Sequence, residues 1–354
     1  MTFLIYFCLA LFLSLILTPI AKMVAFRFNL LDQPGHRKIH AKPIPLIGGM
    51  AIFIAFSLTS LILGLNDHRI FSVVLIGLLF ILFGLLDDGG IKIRAKYKIF
   101  SHLVFSFLFI YLSGMHLDLF RIGWVNWVLT ACFITFMTNS MNMLDGMDGL
   151  VAGISCIASV FFFLIALNNH LPFLAMISII ICGATLGFLR YNFNPASIFL
   201  GEEGSTFLGY ILAVLAVNLK IYGLWNIALL LNIPRLQFVG FIVPLIIIGM
   251  PIFDTSFVFI NRFLNHIKMS TPGKDHSHHR INMMGLSQKM TVLALYGVQL
   301  VLGGLALIMV NADIQQFIAL LLILIVMAVS FWMFLLKVKV YPAIRNNDPF
   351  FDTP

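Results

Sequence analysis

Long apolar runs are the feature that most constrains how this chain can fold. Eleven runs of 15 to 25 residues carry no Asp, Glu, Lys or Arg, apart from Asp254 in one of them. A helix needs about 17–25 such residues to cross the hydrocarbon core of a bilayer. Only 10% of the chain is charged, whereas soluble domains carry about 25%. Because only helices and closed barrels satisfy their backbones in lipid, and barrel-like alternation is missing from the sequence, we predict an all-α polytopic membrane bundle.

The basic residues predict how these spans are oriented. Taken alternately, the connections on one side carry 18 of the 22 Lys and Arg residues and those on the other side carry 4. Cytoplasmic loops hold the excess of basic residues, so the N-terminus is predicted outside and the C-terminus in the cytoplasm. We expect one transmembrane domain over residues 1–345 and a flexible tail over 346–354. The predicted spans are Thr2–Ala21, Ile44–Leu65, Ile70–Leu86, Ile99–Leu117, Ile122–Thr138, Leu150–Leu167, Leu171–Leu189, Ser205–Leu219, Leu236–Ile260, Met290–Val310 and Ile314–Leu336.

Polar clusters mark four of the predicted cytoplasmic loops, and two of these clusters are pairs of acids. Asp87 and Asp88 end the third span, where the alternative interpretation is a simple interfacial helix stop. Glu202 and Glu203 precede the eighth span, where Ser205 could instead serve only as an N-cap. Polar residues at a membrane boundary are costly, which by default indicates a functional site.

The third cluster is the segment NSMNMLDGMDG. Asn139, Asn142 and Asp145 are spaced three residues apart, which predicts one face of a helical turn. Asp148 follows, and Gly146 and Gly149 allow the backbone to approach a ligand closely. Oxygen ligands in this density are typical of Mg²⁺ and phosphate or nucleotide contact.

The fourth cluster comprises His276, His278, His279 and Arg280. Zinc would require a closed set of four ligands, and no cysteine lies near. A His and Arg cluster opposite acidic loops favours diphosphate binding, with solvated loop histidines as the alternative. Together the loops offer carboxylates for a divalent cation and basic groups for phosphates, which is the equipment of phosphoryl transfer.

These motifs resemble those of the bacterial polyprenyl-phosphate N-acetylhexosamine-1-phosphate transferases over nearly the whole chain. The matching pieces are RKIH with IPLIGG, the Asp87–Asp88 pair, AKYK, NSMNMLDGMDGL, GEEGS, PIFDT and HSHHR. The branch that acts with UDP-N-acetylglucosamine and undecaprenyl phosphate is most similar, and phospho-N-acetylmuramoyl-pentapeptide transferase is a more distant relative.

The resemblance implies that a UDP-N-acetylhexosamine, in the first place UDP-N-acetylglucosamine, donates its sugar-1-phosphate to undecaprenyl phosphate and releases UMP. The product would start O-antigen or related cell-envelope polysaccharide assembly. It further implies a multi-pass protein of the bacterial inner membrane with its active site facing the cytoplasm. Mg²⁺ is the expected cofactor, with Mn²⁺ as an alternative ion, and the oligomeric state, monomer or homodimer, is left open.

The same resemblance assigns roles to individual residues. It implies that Asn142 and Glu202 hold the metal ion, and that the acid pair activates the acceptor. Asp87 is the first choice for deprotonating the lipid phosphate. The other roles form three groups: Asp88 and Asp145 as further catalytic acids; Asn139, Asp148, Lys98, His276, His278, His279 and Arg280 in donor binding; and Arg37, Lys38 and His40 in contact with the lipid phosphate.

One position departs from the family pattern. The pattern reads Gly-Asp-x-Gly-Ser, and this chain has Glu202 in place of the Asp. The longer side chain could weaken or re-aim a magnesium site, because Mg²⁺ demands near-ideal octahedral geometry. The departure leaves a catalytically impaired scaffold open as an alternative. An ion-coupled transporter, which would also be polytopic with intramembrane acids, is a second alternative. A transporter would place its binding residues near the bilayer midplane, where only Asp254 lies well inside a predicted span.

Overall fold

The protein is almost entirely helical. The computed structural model describes residues 2–33, 43–63, 67–91, 93–233, 236–268 and 273–340. Within these ranges the only strands are β1 (Leu31–Asp32) and β2 (Ile44–Pro45), which pair antiparallel. The predicted all-α architecture is therefore confirmed.

The helices follow one another with short connections. They are α1 (Thr2–Arg27), α2 (Gly48–Leu63), α3 (His68–Asp88), α4 (Ala95–Ser113), α5 (Gly123–Leu144), α6 (Leu150–Asn168), α7 (Pro172–Asn192), α8 (Gly201–Asn218), α9 (Trp225–Leu230), α10 (Leu236–Gly240), α11 (Ile242–Ile247), α12 (Gly249–Leu264), α13 (Ser277–Met283), α14 (Gln288–Met309) and α15 (Ile314–Leu336).

Local chemistry explains several helix boundaries. The Asp67 carboxylate accepts a hydrogen bond from the Arg69 N–H at the start of α3, and the Ser287 hydroxyl caps α14. Asp313 and Gln316 form a reciprocal capping box at the start of α15. Pro172 occupies the first turn of α7, where its missing N–H costs nothing.

Helix α8 lies at the centre of the bundle. Nearly all its residues are buried, and it packs against α2, α3 and α5. The buried rings of Phe207 and Tyr210 fill the space between these helices, and the Tyr210 hydroxyl donates to the carbonyl of Val73 in α3. By contrast, α1 and α15 bury few of their residues within the bundle, as expected of helices that face lipid.

The described ranges contain seven helices that are long and apolar enough to cross a membrane, or nine if each of two bent pairs is one span. Helices α2 and α5 also match predicted spans without being among the seven, and α2 has only 16 residues. The predicted run Leu236–Ile260 is not one straight helix, because the chain bends by 84° between α11 and α12. A multi-pass membrane protein is confirmed, whereas the count of eleven and the orientation stay predictions.

Candidate active site

The acid pair and the glutamates meet at a single lysine. Lys98 lies in the first turn of α4, and its Nζ donates to Asp87 Oδ2 at 2.8 Å and to Glu202 Oε2 at 2.5 Å. Asp87 Oδ1 also accepts from the Ile93 N–H at 2.9 Å, so both of its oxygens are fixed. Three polar motifs that are far apart in sequence thus share one charged centre at one end of the bundle.

Asp88 fixes the start of α8. Its Oδ2 accepts from the backbone N–H of Glu202 at 2.7 Å and of Glu203 at 3.4 Å, two of the N–H groups that a helix start leaves free. The neighbouring Asp87 points to Lys98 instead. The two adjacent acids therefore have different partners, and the pair does more than end α3.

The two glutamates also point in different directions. Glu202 reaches Lys98, while the side chain of Glu203 is completely buried between α3 and α8. A Cβ on Gly84 would collide with the backbone of Glu203, so this glycine permits the close approach of the two helices. The Glu203 carboxyl lies against the Asp88 carboxyl and near the Gly49 backbone, and neither of its oxygens has a well-aligned hydrogen-bond partner among the described residues.

The IPLIGG motif has a structural role at the same place. The N–H groups of Gly48 and Gly49 donate to the carbonyls of Phe199 and Leu200 at 3.0 and 2.8 Å. A Cβ on Gly49 would collide with the backbone of Gly204. This close contact holds the GEEGS turn against α2. The preceding RKIH segment, with the predicted contacts Arg37, Lys38 and His40, lies outside the described residues, as does the tail 346–354.

The two asparagines of α5 face different neighbours. Asn142 Oδ1 accepts from the Ser205 hydroxyl at 3.1 Å, which places Asn142 beside the first turn of α8. Asn139 instead donates to the Thr135 carbonyl at 2.7 Å, and its Nδ2 lies 3.2 Å from Nδ1 of the buried His102 in α4. Asn142 therefore joins the acidic centre, whereas Asn139 contacts α4.

Helix α5 ends at Leu144, so Asp145 is the first residue beyond it and does not continue the helical face predicted from the spacing. Burial, together with the nearby charges of Asp88 and Asp148, raises the pKa of Asp145 to about 8. This carboxyl is thus able to hold a proton near neutral pH.

Asp148 fixes the connection between α7 and α8. Its Oδ2 accepts from Asn194 Nδ2 and from the Ala196 N–H, each at 3.0 Å. The hydroxyl of Tyr296 donates to the Gly149 carbonyl at 2.5 Å, which secures the end of the same loop. These contacts make the Asp-Gly loop, residues 145–149, a rigid part of the site.

The histidine segment, residues 275–280, packs against this loop. His276 Nδ1 lies 2.7 Å from Oδ2 of Asp254, and the Ser277 N–H donates to Asp254 Oδ1 at 2.7 Å. The rings of His276 and His278 are stacked with centroids 5.5 Å apart. A Cβ on Gly146 would collide with Nε2 of His278, so this imidazole lies directly against the Asp-Gly loop.

The three histidines differ in the direction in which their surroundings shift the pKa. Burial by itself would lower the pKa of His276, but the hydrogen bond and charge of Asp254 outweigh it, so this pKa is raised. Burial lowers the pKa of His278 to about 3. Burial and nearby positive groups also lower the pKa of His279. His276 is therefore the imidazole best able to carry a proton at neutral pH.

Arg280 is engaged in the fold. Its guanidinium donates to the carbonyls of Asp275, Leu335 and Val338, at 2.9, 3.2 and 2.6 Å. It also lies over the ring of Phe257. Arg280 thereby ties α13 to the C-terminal end of α15, and its predicted contact with the donor stays a prediction.

The side-chain oxygens at the centre of the site are suitable ligands for a hard divalent cation. Glu202 Oε1 is buried without a hydrogen-bond partner, and Asn142 supplies an amide oxygen beside the same turn. Oxygen ligands of this kind suit Mg²⁺. Among the residues that the structure describes, no group of three or more His, Cys, Asp or Glu side chains is arranged to hold a metal ion. A mixed amide and carboxylate set is therefore the arrangement that this site can offer.

Sequence reasoning assigned no role to three residues that shape the site. His102 contacts Asn139, Asp254 holds the histidine segment, and Glu203 lies buried beside the acid pair. His102 follows Lys98 by one helical turn, which is a signal that could have been used. Asp254 was visible only as a single acid within an apolar run.

Comparison with known proteins agrees with this geometry. Residues 70–220 match the model of glycosyl transferase family 4. A probable undecaprenyl-phosphate N-acetylglucosaminyl 1-phosphate transferase of Bacillus subtilis (strain 168) is 35% identical over 330 residues, which cover 90% of this chain and 88% of the relative. A decaprenyl-phosphate N-acetylglucosaminephosphotransferase of Mycolicibacterium smegmatis is 27% identical, with 78% and 74% covered. A phospho-N-acetylmuramoyl-pentapeptide-transferase of Bacillus anthracis is 27% identical, with 60% and 73% covered.

These similarities confirm the resemblance seen in the motifs. The matched family region contains the acid pair, Lys98, the Asp-Gly loop and the GEEGS turn, which are the elements that meet in space. The chain thus belongs to glycosyl transferase family 4 and is a membrane-embedded phosphotransferase of that family.

Proposed function

We propose that this enzyme transfers N-acetylglucosamine-1-phosphate from UDP-N-acetylglucosamine to undecaprenyl phosphate. An oxygen of the lipid phosphate forms a bond to the sugar-linked phosphorus of the donor. The bond from that phosphorus to the bridging oxygen breaks, and UMP leaves with this oxygen. The products are UMP and a lipid diphosphate sugar, which would start O-antigen or related cell-envelope polysaccharide assembly.

The observation that carries the proposal is the centre formed by Lys98 between Asp87 and Glu202. Phosphoryl transfer depends mainly on positioning and on neutralising charge. A lysine that bridges two carboxylates at the end of a membrane bundle supplies a cation at a fixed position. The relatives named above act on polyprenyl phosphates, which supports a lipid phosphate as the acceptor.

The acids divide the work on the acceptor. Asp87 is our choice for accepting the proton of the lipid phosphate, because its carboxylate lies at the exposed side of the centre. Asp88 holds the start of α8 through backbone N–H groups, so we assign it to positioning the turn. Lys98 would contact a phosphate once that group enters between the two carboxylates.

The donor would lie between the Asp-Gly loop and the histidine segment. His276 can offer a positive charge to the diphosphate, and the neutral His278 and His279 can donate or accept hydrogen bonds. Asp148, at the far end of the loop, is our choice for the nucleoside side. We place this face on the cytoplasmic side of the inner membrane, because the connections on that side carry 18 basic residues and those on the other side carry 4.

Mg²⁺ is the cofactor we propose, with Asn142 and Glu202 as its protein ligands. When bound, it would neutralise phosphate charge in the transition state. The assignment is supported by Glu202 Oε1, which is buried without a hydrogen-bond partner.

The test uses purified protein with undecaprenyl phosphate and a panel of UDP-sugars, and measures UMP release. We expect release with UDP-N-acetylglucosamine, loss of release in a chelator, and loss of most activity in Glu202→Gln. The matched control is Asp313→Asn, which makes the same carboxylate-to-amide change at the N-cap of α15 and retains a good N-cap. A wild-type protein that releases no UMP from any sugar would refute the transferase and favour a scaffold.

A further inference from the structure

The PIFDT motif has no role in the chemistry described so far, yet its acid is among the most buried in the described residues. Asp254 is 0% exposed in α12. It follows the 84° bend that separates α12 from α11, and its side chain contacts the histidine segment. An ionised acid in such a place is costly unless specific groups compensate it. The structure provides two such groups.

Both compensating groups belong to the histidine segment. Asp254 Oδ2 pairs with Nδ1 of His276, and Oδ1 accepts from the Ser277 N–H, each at 2.7 Å. One carboxylate thereby fixes a side chain and the first turn of α13. A His nitrogen that donates to a carboxylate has its tautomer and ring orientation set, which is how a carboxylate prepares a histidine for work at its other nitrogen.

The effect extends beyond His276. Its ring stacks on His278, and His278 lies directly against Gly146 of the Asp-Gly loop. The attachment of the whole segment has a separate basis, since Arg262 of α12 binds both oxygens of Asp275 at 2.7 and 2.9 Å. Arg262 already holds the histidine segment against α12, so the contact of Asp254 is not needed for that attachment. Its effect is on the orientation of His276.

We infer that Asp254 is a positioning residue that orients His276, and through it His278, toward the phosphate groups of the donor. This inference rests on the proposed function, because it assumes that the histidine segment binds the donor. It assigns a role to an acid in the interior of the bundle that contacts the reacting groups only through an imidazole.

The first test compares Asp254→Asn with Thr255→Val. The asparagine keeps the shape of the side chain and an acceptor for Ser277, but it removes the charge from His276. Removing the carboxylate that orients a metal-binding histidine typically costs about 10–100-fold in activity, and by analogy we expect a loss in this range for Asp254→Asn. Thr255 is the neighbouring residue and equally buried, and its hydroxyl has no hydrogen-bond partner among the described residues, so Thr255→Val should retain activity.

The second test is the pH profile of donor turnover, which a purely structural defect would not shift. The raised pKa of His276 keeps its proton to higher pH in the wild type, so the fall in activity on the basic side should move to lower pH in Asp254→Asn. The groups that face His276 are Asp254 and Arg262 from α12, Asp275 from its own segment, and His278 and His279 from α13. Of these, the substitution changes only Asp254.

A double-mutant cycle separates the outcomes. In a His276→Ala background, Asp254→Asn should cost little further activity, because the two residues act as a unit. Additive losses, or an unshifted pH profile with a normal melting temperature, would overturn the inference while the wild type still releases UMP. An inactive wild type would instead refute the proposed function. If Asp254→Asn does not fold, His276→Gln takes its place in the test. This variant keeps Asp254 and should lose the same fraction of donor turnover.

Discussion

Replacing Lys98 with methionine is the sharpest perturbation of the charged centre. Methionine keeps the length and the apolar stem of lysine but has no donor for Asp87 or Glu202. The two carboxylates would then face each other without a cation. We expect Lys98→Met to lose stability and activity, and we expect the stability to return in part when a divalent cation is added.

The magnitude follows from the two hydrogen bonds. A hydrogen bond to a charged group contributes about 1.5–3 kcal/mol. The three side chains are 11–20% exposed, so solvent screens the charges to some extent and the lower figure applies to each bond. The loss is therefore about 3 kcal/mol in the absence of divalent cations. At about 2 °C per kcal/mol for a large chain, the melting temperature should fall by about 6 °C.

The assay is thermal unfolding of the purified protein in detergent, first in a chelator and then with Mg²⁺. A ligand at about one hundred times its Kd adds about 2.7 kcal/mol of stability. Lys98→Met should gain more from Mg²⁺ than the wild type does, because the metal ion need not share the carboxylates with a lysine. Lys220→Met is the matched control, since Lys220 is exposed and forms no ion pair in the described residues.

Two results would refute this reasoning. Equal melting temperatures of wild type and Lys98→Met in the chelator would mean that the bridge contributes nothing to stability. An equal Mg²⁺-dependent rise in both proteins would mean that the metal ion and the lysine do not use the same carboxylates. UMP release by Lys98→Met at the wild-type rate would further exclude Lys98 from phosphate binding.

Three further substitutions test the neighbouring elements. The pKa of Asp145 is raised to about 8 in the folded protein, whereas this carboxyl ionises near 4 in the unfolded chain, so the free energy of unfolding should fall as pH rises between these values. Asp145→Asn should lose less stability than the wild type over that pH range, as measured by thermal unfolding in a chelator. Glu202→Asp restores the family residue and should retain part of the UMP release, whereas complete loss would mean that the site depends on the longer chain reaching Lys98. Gly146→Ala places a Cβ where His278 lies and should raise the KM for the donor, with an unchanged KM as the contrary outcome.

The sequence predicted the helical fold and which residues belong to the site, but not which residues contact one another there. Apolar runs define spans because the bilayer sets their length, and the acids and histidines could be selected because polar residues are rare in such a chain. The bend before α12 was not predicted from the apolar run Leu236–Ile260, although Gly249 and Pro251 stand beside it and proline is typical of the first turn of a new helix. The bridging position of Lys98 was equally hidden, because it depends on how α3, α4 and α8 pack.

Helix packing also explains why some residues do not have the partners that their spacing or residue type predicted. Asn139 and Asn142 are three residues apart, yet one contacts α4 and the other α8, since α5 lies between these two helices. Arg280 was predicted to bind phosphate from its residue type, and the structure uses its guanidinium to hold the end of α15. A residue type indicates which chemistry a side chain can perform, but the packing of distant segments decides which partner it meets.

The distribution of unpartnered atoms points to the same end of the bundle. Buried polar groups in proteins are nearly always hydrogen-bonded, so each exception requires an explanation. Among the described residues, the buried ionisable side-chain atoms without a hydrogen-bond partner belong to Glu202, Glu203 and His278. All three lie at the candidate site, where two carboxyl groups need a proton or a cation and a neutral imidazole needs a hydrogen-bonding partner. A membrane protein tolerates such costs where a polar ligand completes the site, and a divalent cation with a diphosphate would satisfy both demands at once.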